Sequence, residues 1–228
     1  MRIGVIGSGR IGGNLGLQVG QVGRRGHEVL FSGSRDRAKL EALAAQTPGG
    51  RVGSPREAVE FGDVVVLSVP WTTIDDALEQ AGPLDGKIVV DTTNQYGRGG
   101  LESLPEGASA VELNAGRMPG ARLAKAFNTL TAGFQRDVAE GRAEGEIAMF
   151  YANEDEDAGA ACEVLIAACG FHPVRIGGWA QAHLLEAPRR DGSVYGEAYA
   201  AEDARRIAAA ATQDVALAER LARERKMT

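Results

Sequence analysis

Aromatic residues supply only 5% of this chain, and its 25 Lys and Arg are outnumbered by 31 Asp and Glu, for a net charge of -6. With few rings to stack on bases and no surplus of cations for phosphate backbones, the composition argues against a nucleic-acid partner. Long hydrophobic runs are missing too. The N-terminal one is broken by glycine too soon for a secretory signal, and no stretch reaches the roughly 18 apolar residues of a membrane span. These features point to a cytoplasmic protein that handles small molecules and no membrane. Cysteine is scarce: Cys162 and Cys169 are the two present. They lie seven apart in a helix-like segment from Asp157 to Cys169, on one helical face two turns apart. That is the spacing of buried thiols, not of the Cys-x-x-Cys of metal and redox sites, and no metal ligand set is expected.

Glycine, by contrast, is plentiful and patterned. The chain opens Arg2-Ile3-Gly4-Val5-Ile6-Gly7-Ser8-Gly9-Arg10-Ile11-Gly12, a strand-like run followed at once by Gly-x-Gly-x-x-Gly. Gly7 allows the tight turn, Gly9 lets the backbone approach a pyrophosphate, Gly12 permits close packing, and the amides at the helix start attract phosphate. The motif alone is weak. Here a second strand, His27 to Ser32, follows the intervening helix at βαβ spacing, which gives the motif its context. Gly7, Ser8, Gly9, Arg10, Ile11 and Gly12 are therefore expected to bind a dinucleotide.

About twenty residues further on, an NAD-specific fold places an acid that accepts from the ribose 2'-hydroxyl. This chain has Ser34-Arg35 there, with Lys39 one helical turn beyond Arg35. A hydroxyl and a guanidinium bind a 2'-phosphate through charge-assisted hydrogen bonds, where an acid would repel it. The expected cofactor is NADP(H). The plainer alternative is that Arg35, Arg37 and Lys39 form a solvated basic turn.

The remaining pattern alternates strand and helix. Helices are expected over Asp36 to Gln46, from Ser54 with Glu57 completing a capping box, and over Ser109 to Met118. Continuous apolar runs at Asp63 to Val69, Lys87 to Asp91 and Leu123 to Asn128 have the character of parallel strands buried on both faces. Ile147 to Ala152 and Pro173 to Ile176 supply two more. The fold expected is a three-layer Rossmann-type α/β domain, doubly wound βαβ throughout, with a mostly parallel sheet of about eight strands. Its carboxyl edge would carry Val69, Pro70, Asp91 to Asn94 and Asn128, where open α/β sheets bind ligands.

Together the fingerprint, Gly33-Ser34-Arg35, Val69-Pro70-Trp71, Asp91-Thr92-Thr93-Asn94 and Lys125-Ala126-Phe127-Asn128-Thr129 resemble the NADP oxidoreductases dependent on coenzyme F420. That group of small Rossmann proteins also includes the nucleotide domain of the STEAP metalloreductases. The resemblance runs from Met1 to about Glu186. It implies that Ser34, Arg35 and Lys39 hold the 2'-phosphate. It also implies that Val69, Pro70, Asn94 and Asn128 lie against the cofactor, and that Trp71, Thr93, Asn128 and Thr129 border a deazaflavin that exchanges hydride with the nicotinamide. The small-molecule hydride partner would then be coenzyme F420.

Two departures stand out. The first helix is about one turn longer than usual, and residues 187–228 extend past the point where simple members end. The expected division is a NADP-binding domain over 1–186 and an extension over 187–228, made of a polar loop (Arg189 to Gly196) and one long helix from Glu197 to Arg225. Its stripe of Ile207, Ala211, Val215, Ala218 and Ala222 either packs on a second subunit, giving a homodimer, or covers its own domain.

Hydride transfer to a deazaflavin needs positioning and exclusion of water more than an acid or base, and the sequence offers no obvious Lys-Asp dyad at the sheet edge. An imine, carbonyl or ferric reductase is the rival enzymatic reading. For imine or carbonyl reduction a proton donor is required, and His183, Tyr195 and Tyr96 are the candidates. A non-catalytic NADPH sensor is a third reading.

Overall fold

The structure, a computed structural model, describes residues 1–21, 27–33 and 36–227. Its first half builds up in βα steps: β1 (Arg2–Ile6), α1 (Arg10–Gln21), β2 (Glu28–Ser32), α2 (Arg37–Ala45), β3 (Arg51–Val52), α3 (Pro55–Phe61) and β4 (Val64–Leu67). A 3-10 turn at Trp71–Thr73 leads into α4 (Ile74–Ala81) and β5 (Ile88–Asp91), after which a small hairpin, β6 (Tyr96–Gly97) and β7 (Gly100–Leu101), precedes α5 (Ala110–Arg117). Then come β8 (Arg122–Lys125), α6 (Ala132–Ala139), β9 (Ala148–Asn153), α7 (Glu156–Ala168), β10 (His172–Gly177), the short α8 (Trp179–Ala182), α9 (Ala201–Ala211) and α10 (Val215–Arg225).

Local chemistry sets several of these boundaries. The expected box at α3 is present, with Ser54 Oγ accepting from Glu57 N–H and the Glu57 carboxylate accepting from Ser54 N–H. Ser109 and Glu112 do the same for α5. Asp36 caps α2 by accepting from Lys39 N–H. Each such cap satisfies amides that the first helical turn leaves open.

The main sheet has eight strands in the order β10-β9-β8-β5-β4-β1-β2-β3. From β3 to β8 all pairings are parallel. Residues alternate between two cores: Ile3, Val5, Val64, Val66 and Val90 pack under α1 and α7, whereas Ile6, Val65, Leu67 and Val89 pack under α3, α4 and α5. This is the doubly wound arrangement the apolar runs imply. It departs from βαβ throughout at one place, because β9 pairs with β8 antiparallel and β10 continues parallel to β9. An apolar run buried on both faces carries no direction, so Ile147 to Ala152 fits either orientation.

The single long helix expected from Glu197 to Arg225 is two helices. Asp214 turns its carboxylate onto Leu217 N–H and starts α10 afresh. Ile207, Ala211, Ala218 and Ala222 bury against Ala148, Phe150, Val174 and Ile176 of β9 and β10, forming a third core, while Val215 is left exposed. Most of the stripe therefore covers its own chain. Among the described residues, no helix is long and apolar enough to cross a membrane.

Both cysteines lie within the α7 region, unpaired and buried. Burial pushes both thiols up, Cys169 to about 12. The thiolate is the reactive form, so a colorimetric disulfide reagent is expected to find no reactive thiol in the native protein and two per chain after denaturation. Rapid labelling of the native protein would contradict this packing.

Candidate functional site

The strands of the parallel half end in line. Leu67 is the register partner of both Ile6 and Asp91, and Asp91 is the partner of Lys125. Crossovers leave β1 toward β2 on one side and return to β4 on the other, so the chain reverses its winding direction at β1/β4, where such sheets open a crevice. Gly7 makes the turn there with φ +98°, a value that favours glycine, and a Cβ on it would lie 2.3 Å from Ser68 O. At Gly12 a Cβ would come within 2.2 Å of Gly7 O, so the start of α1 is packed hard against the turn. Gly9 has nothing within 4 Å of a Cβ position and faces open space.

That space is a cleft of about 820 Å³ lined by Gly7, Ser8, Gly9, Lys39, Val69 and Pro70 among others. It is of a size that holds small-molecule ligands. The structure thus brings together the fingerprint, Lys39 in the first turn of α2, and the chain leaving β4. Arg10 and Ile11 begin α1 beside Gly9. Ser8 turns its hydroxyl inward onto Ser32 O at 3.0 Å and is buried, so it offers the cleft backbone only. Gly33 also lines the cleft, whereas Ser34 and Arg35 lie outside the described residues.

Beyond β5 and β8, Asn94 and Asn128 are bonded to each other. Asn94 Nδ2 donates to Asn128 O at 2.9 Å, and Asn128 Nδ2 donates to Asn94 Oδ1 at 3.1 Å and to Leu185 O at 2.8 Å. Asn128 Oδ1 is buried without a partner. The preceding residue, Phe127, has φ +61°, a left-handed value that is strained for an aromatic residue. Gln135 holds that bend by donating to both Phe127 O and Leu130 O.

The other expected substrate contacts face inward. Thr93 Oγ1 accepts from Asn114, and Thr129 Oγ1 points at Met149 Sδ at 3.8 Å. Both threonines are buried and so brace the edge with their own bonds. Trp71 is 9% exposed, and the Arg117 guanidinium lies 4.5 Å from its ring centroid, so a cation of the protein already covers one face.

The sequence reading misses the bracing group at this edge. Asp91 and Lys125, both fully buried, form an ion pair at 2.9 Å. Lys125 Nζ also donates to Thr93 O, while Asp91 accepts from Thr93 N–H and Asn114 Nδ2. This is a Lys-Asp pair at the sheet edge that the linear sequence does not make obvious. Its one signal was the charged residue ending each of two neighbouring strands. Glu186 was missed as well: its carboxylate, buried, accepts from Ala110 and Val111 N–H and caps α5 across 76 and 75 residues.

Of the candidate proton donors, Tyr195 Oη lies 3.4 Å from Tyr96 Oη, and the loop that carries it is tied to the edge by Gly196 N–H donating to Thr129 O. Burial, followed by the Tyr96 bond, raises the Tyr195 phenol above its ordinary value. His183 caps the short α8, with Nδ1 donating to Ala180 O. It lies apart from the nucleotide cleft, on the wall of a second cavity.

Residues 2–95 match the family described as NADP oxidoreductase, coenzyme F420-dependent. A hypothetical protein from Sinorhizobium meliloti is 26% identical, with a TM-score of 0.73 over 88% of this chain and 95% of its own. A protein from Arthrobacter sp. FB24, provisionally described as an F420-dependent NADP reductase, shares the fold at 22% identity and a TM-score of 0.64, covering 80% of this chain and 87% of its own. An imine reductase variant from Myxococcus stipitatus, in complex with NAD+, shares it at 20% identity and a TM-score of 0.54, over 78% of this chain but 54% of its own. Over residues 2–95 the chain is thus similar to the coenzyme F420-dependent NADP oxidoreductases, and the Rossmann-type fold is shared along most of its length.

Proposed function

We propose that the protein binds NADP(H) along the carboxyl edge of the sheet and transfers hydride between NADPH and a deazaflavin such as coenzyme F420. The observation that carries this reading is the partnerless Asn128 Oδ1, buried at the end of β8 on the edge that also carries the fingerprint turn. A buried acceptor without a donor is unfavourable, and a carboxamide NH2 brought to the end of β8 would supply one, which supports a nicotinamide at this end of the edge. Gly9 gives the pyrophosphate access to backbone, Val69 and Pro70 wall the middle of the cleft, and Lys39 with Ser34 and Arg35 takes the 2'-phosphate.

When bound, the nicotinamide supplies the hydride. The protein's part is to hold the ring and shut out water. The strained Phe127 backbone aims Asn128, and the Asp91–Lys125 pair fixes the Thr93–Asn94 bend beside it.

Rapid mixing of the protein with NADPH and oxidised F420, followed by deazaflavin absorbance with NADH as control, tests the reading. Fast reduction selective for NADPH is the expected result. NADPH binding with F420 left oxidised would overturn the acceptor assignment and keep the cofactor.

The Tyr195–Tyr96 hydroxyl pair favours a second reading, reduction of an imine or carbonyl, because two phenols within reach of each other can pass a proton to a substrate nitrogen or oxygen. Under that reading Tyr195→Phe abolishes turnover of a cyclic imine such as 2-methyl-1-pyrroline. Under the first reading the same variant leaves F420 reduction nearly intact.

A further inference from the structure

A second cavity, of about 340 Å³, is lined by Gln95, the residue after Asn94, and among the described residues shares no lining residue with the nucleotide cleft. Its walls come from the β6–β7 hairpin and the chain after it, the start of α5, and residues 183–190. At about 30 Å³ per water, it has room for on the order of ten water-sized groups.

The polar groups on its wall are mainly acceptors. Gln95 is 4% exposed, donates its Nε2 to Ala187 O, and is left with an Oε1 that has no partner. On His183, Nδ1 donates to Ala180 O, so Nε2 of the neutral ring is a second acceptor. Glu102 adds a carboxylate. Among the described residues, the one Lys or Arg lining the cavity, Arg190, donates to His183 O. Such a wall is complementary to a ligand that brings donors.

Chain continuity links the cavity to the site. Gln95 directly follows Asn94, and Ala187 lies two residues after Leu185, whose carbonyl accepts from Asn128. Two adjacent stretches, 94–95 and 185–187, thus present Asn94 and Leu185 to Asn128, and Gln95 and Ala187 to the cavity.

We propose that this cavity is the subsite for the part of the hydride acceptor that carries N–H or O–H donors, an amide, imide or amine edge, and that Gln95 Oε1 recognises it. The inference rests on the oxidoreductase reading above and makes Gln95 a residue of acceptor specificity, with no part in cofactor binding.

The test measures binding and turnover separately. Oxidised F420 is titrated into NADP+-loaded protein by its own fluorescence, and F420 reduction by NADPH is measured in steady state, for the wild type and Gln95→Met. A second variant, Leu101→Cys on the exposed rim, is capped after folding with a benzyl thiosulfonate, the native thiols being buried. Expected are a roughly tenfold rise in Kd and KM for F420 in Gln95→Met and in the capped variant, with kcat and the NADPH Kd near wild type. Retained F420 turnover with no effect of either change overturns the subsite and spares the functional reading. Binding that depends on Gln95 without turnover does the reverse. F420 binding that is absent, or indifferent to Gln95, overturns the subsite whatever the turnover.

Discussion

Lys125→Met is expected to destabilise the protein by about 3–5 kcal/mol, the usual loss when one partner of a buried ion pair is removed. Lys125 and Asp91 are both fully buried, and the substitution leaves the Asp91 carboxylate with only the Thr93 amide and the Asn114 side chain as donors. Urea titration reads the loss directly as a shifted midpoint. Adding Asp91→Asn in the same chain removes the uncompensated charge while keeping an acceptor for Thr93 N–H, so the double variant is expected to be more stable than Lys125→Met alone. A double variant no better than the single would mean that volume, not charge, governs the site. Because Thr93 and Asn94 hang from this pair, NADPH affinity should fall with stability in the single variant and recover in part in the double.

Arg35→Ala is expected to weaken NADPH binding about 100-fold, within the reach of two charge-assisted hydrogen bonds, and to change NADH binding by less than about twofold. The argument is electrostatic. NADH has no 2'-phosphate, so a guanidinium placed for that group gives it nothing to lose. Fluorescence titration of both cofactors checks the ratio, and equal losses would refute the phosphate role. Lys39 should show the same selectivity more weakly, since an ammonium cannot match a bidentate guanidinium.

The nucleotide half was legible because its signals are local. The turn at Gly7, the close approach at Gly12, the Ser54–Glu57 box and the apolar runs of β4 and β5 each lie within a few residues, and the structure reproduces them. What escaped depends on contacts between distant segments. Asp91 meets Lys125 only because parallel register aligns two strand ends, and Glu186 reaches α5 only once the chain has returned from β10. The antiparallel turn into β9 escaped because a fully buried strand looks alike in both directions. The hairpin at Tyr96–Leu101 escaped because Gly97-Arg98-Gly99-Gly100 has no apolar alternation to mark strands. For the site, residue types at strand ends placed Asn94 and Asn128 along one sheet edge, and their mutual hydrogen bonds appear only in the structure. They did not reveal that Thr93 and Thr129 point inward, because no hydrogen-bond partner of either hydroxyl is nearby in sequence.

The reversal at β9 has a consequence for how such a protein diversifies. Because β9 runs against β8, Met149 near its start lies beside Thr129, past the end of β8. There Ala148 N–H donates to Tyr199 O and Gly196 N–H donates to Thr129 O. The stretch that joins β10 to α9 is thereby laid along the ligand edge while its two ends are anchored in the third core. It is a replaceable cassette: insertions or exchanges between Pro188 and Gly196 would redraw one wall of the site without disturbing a single strand of the nucleotide half.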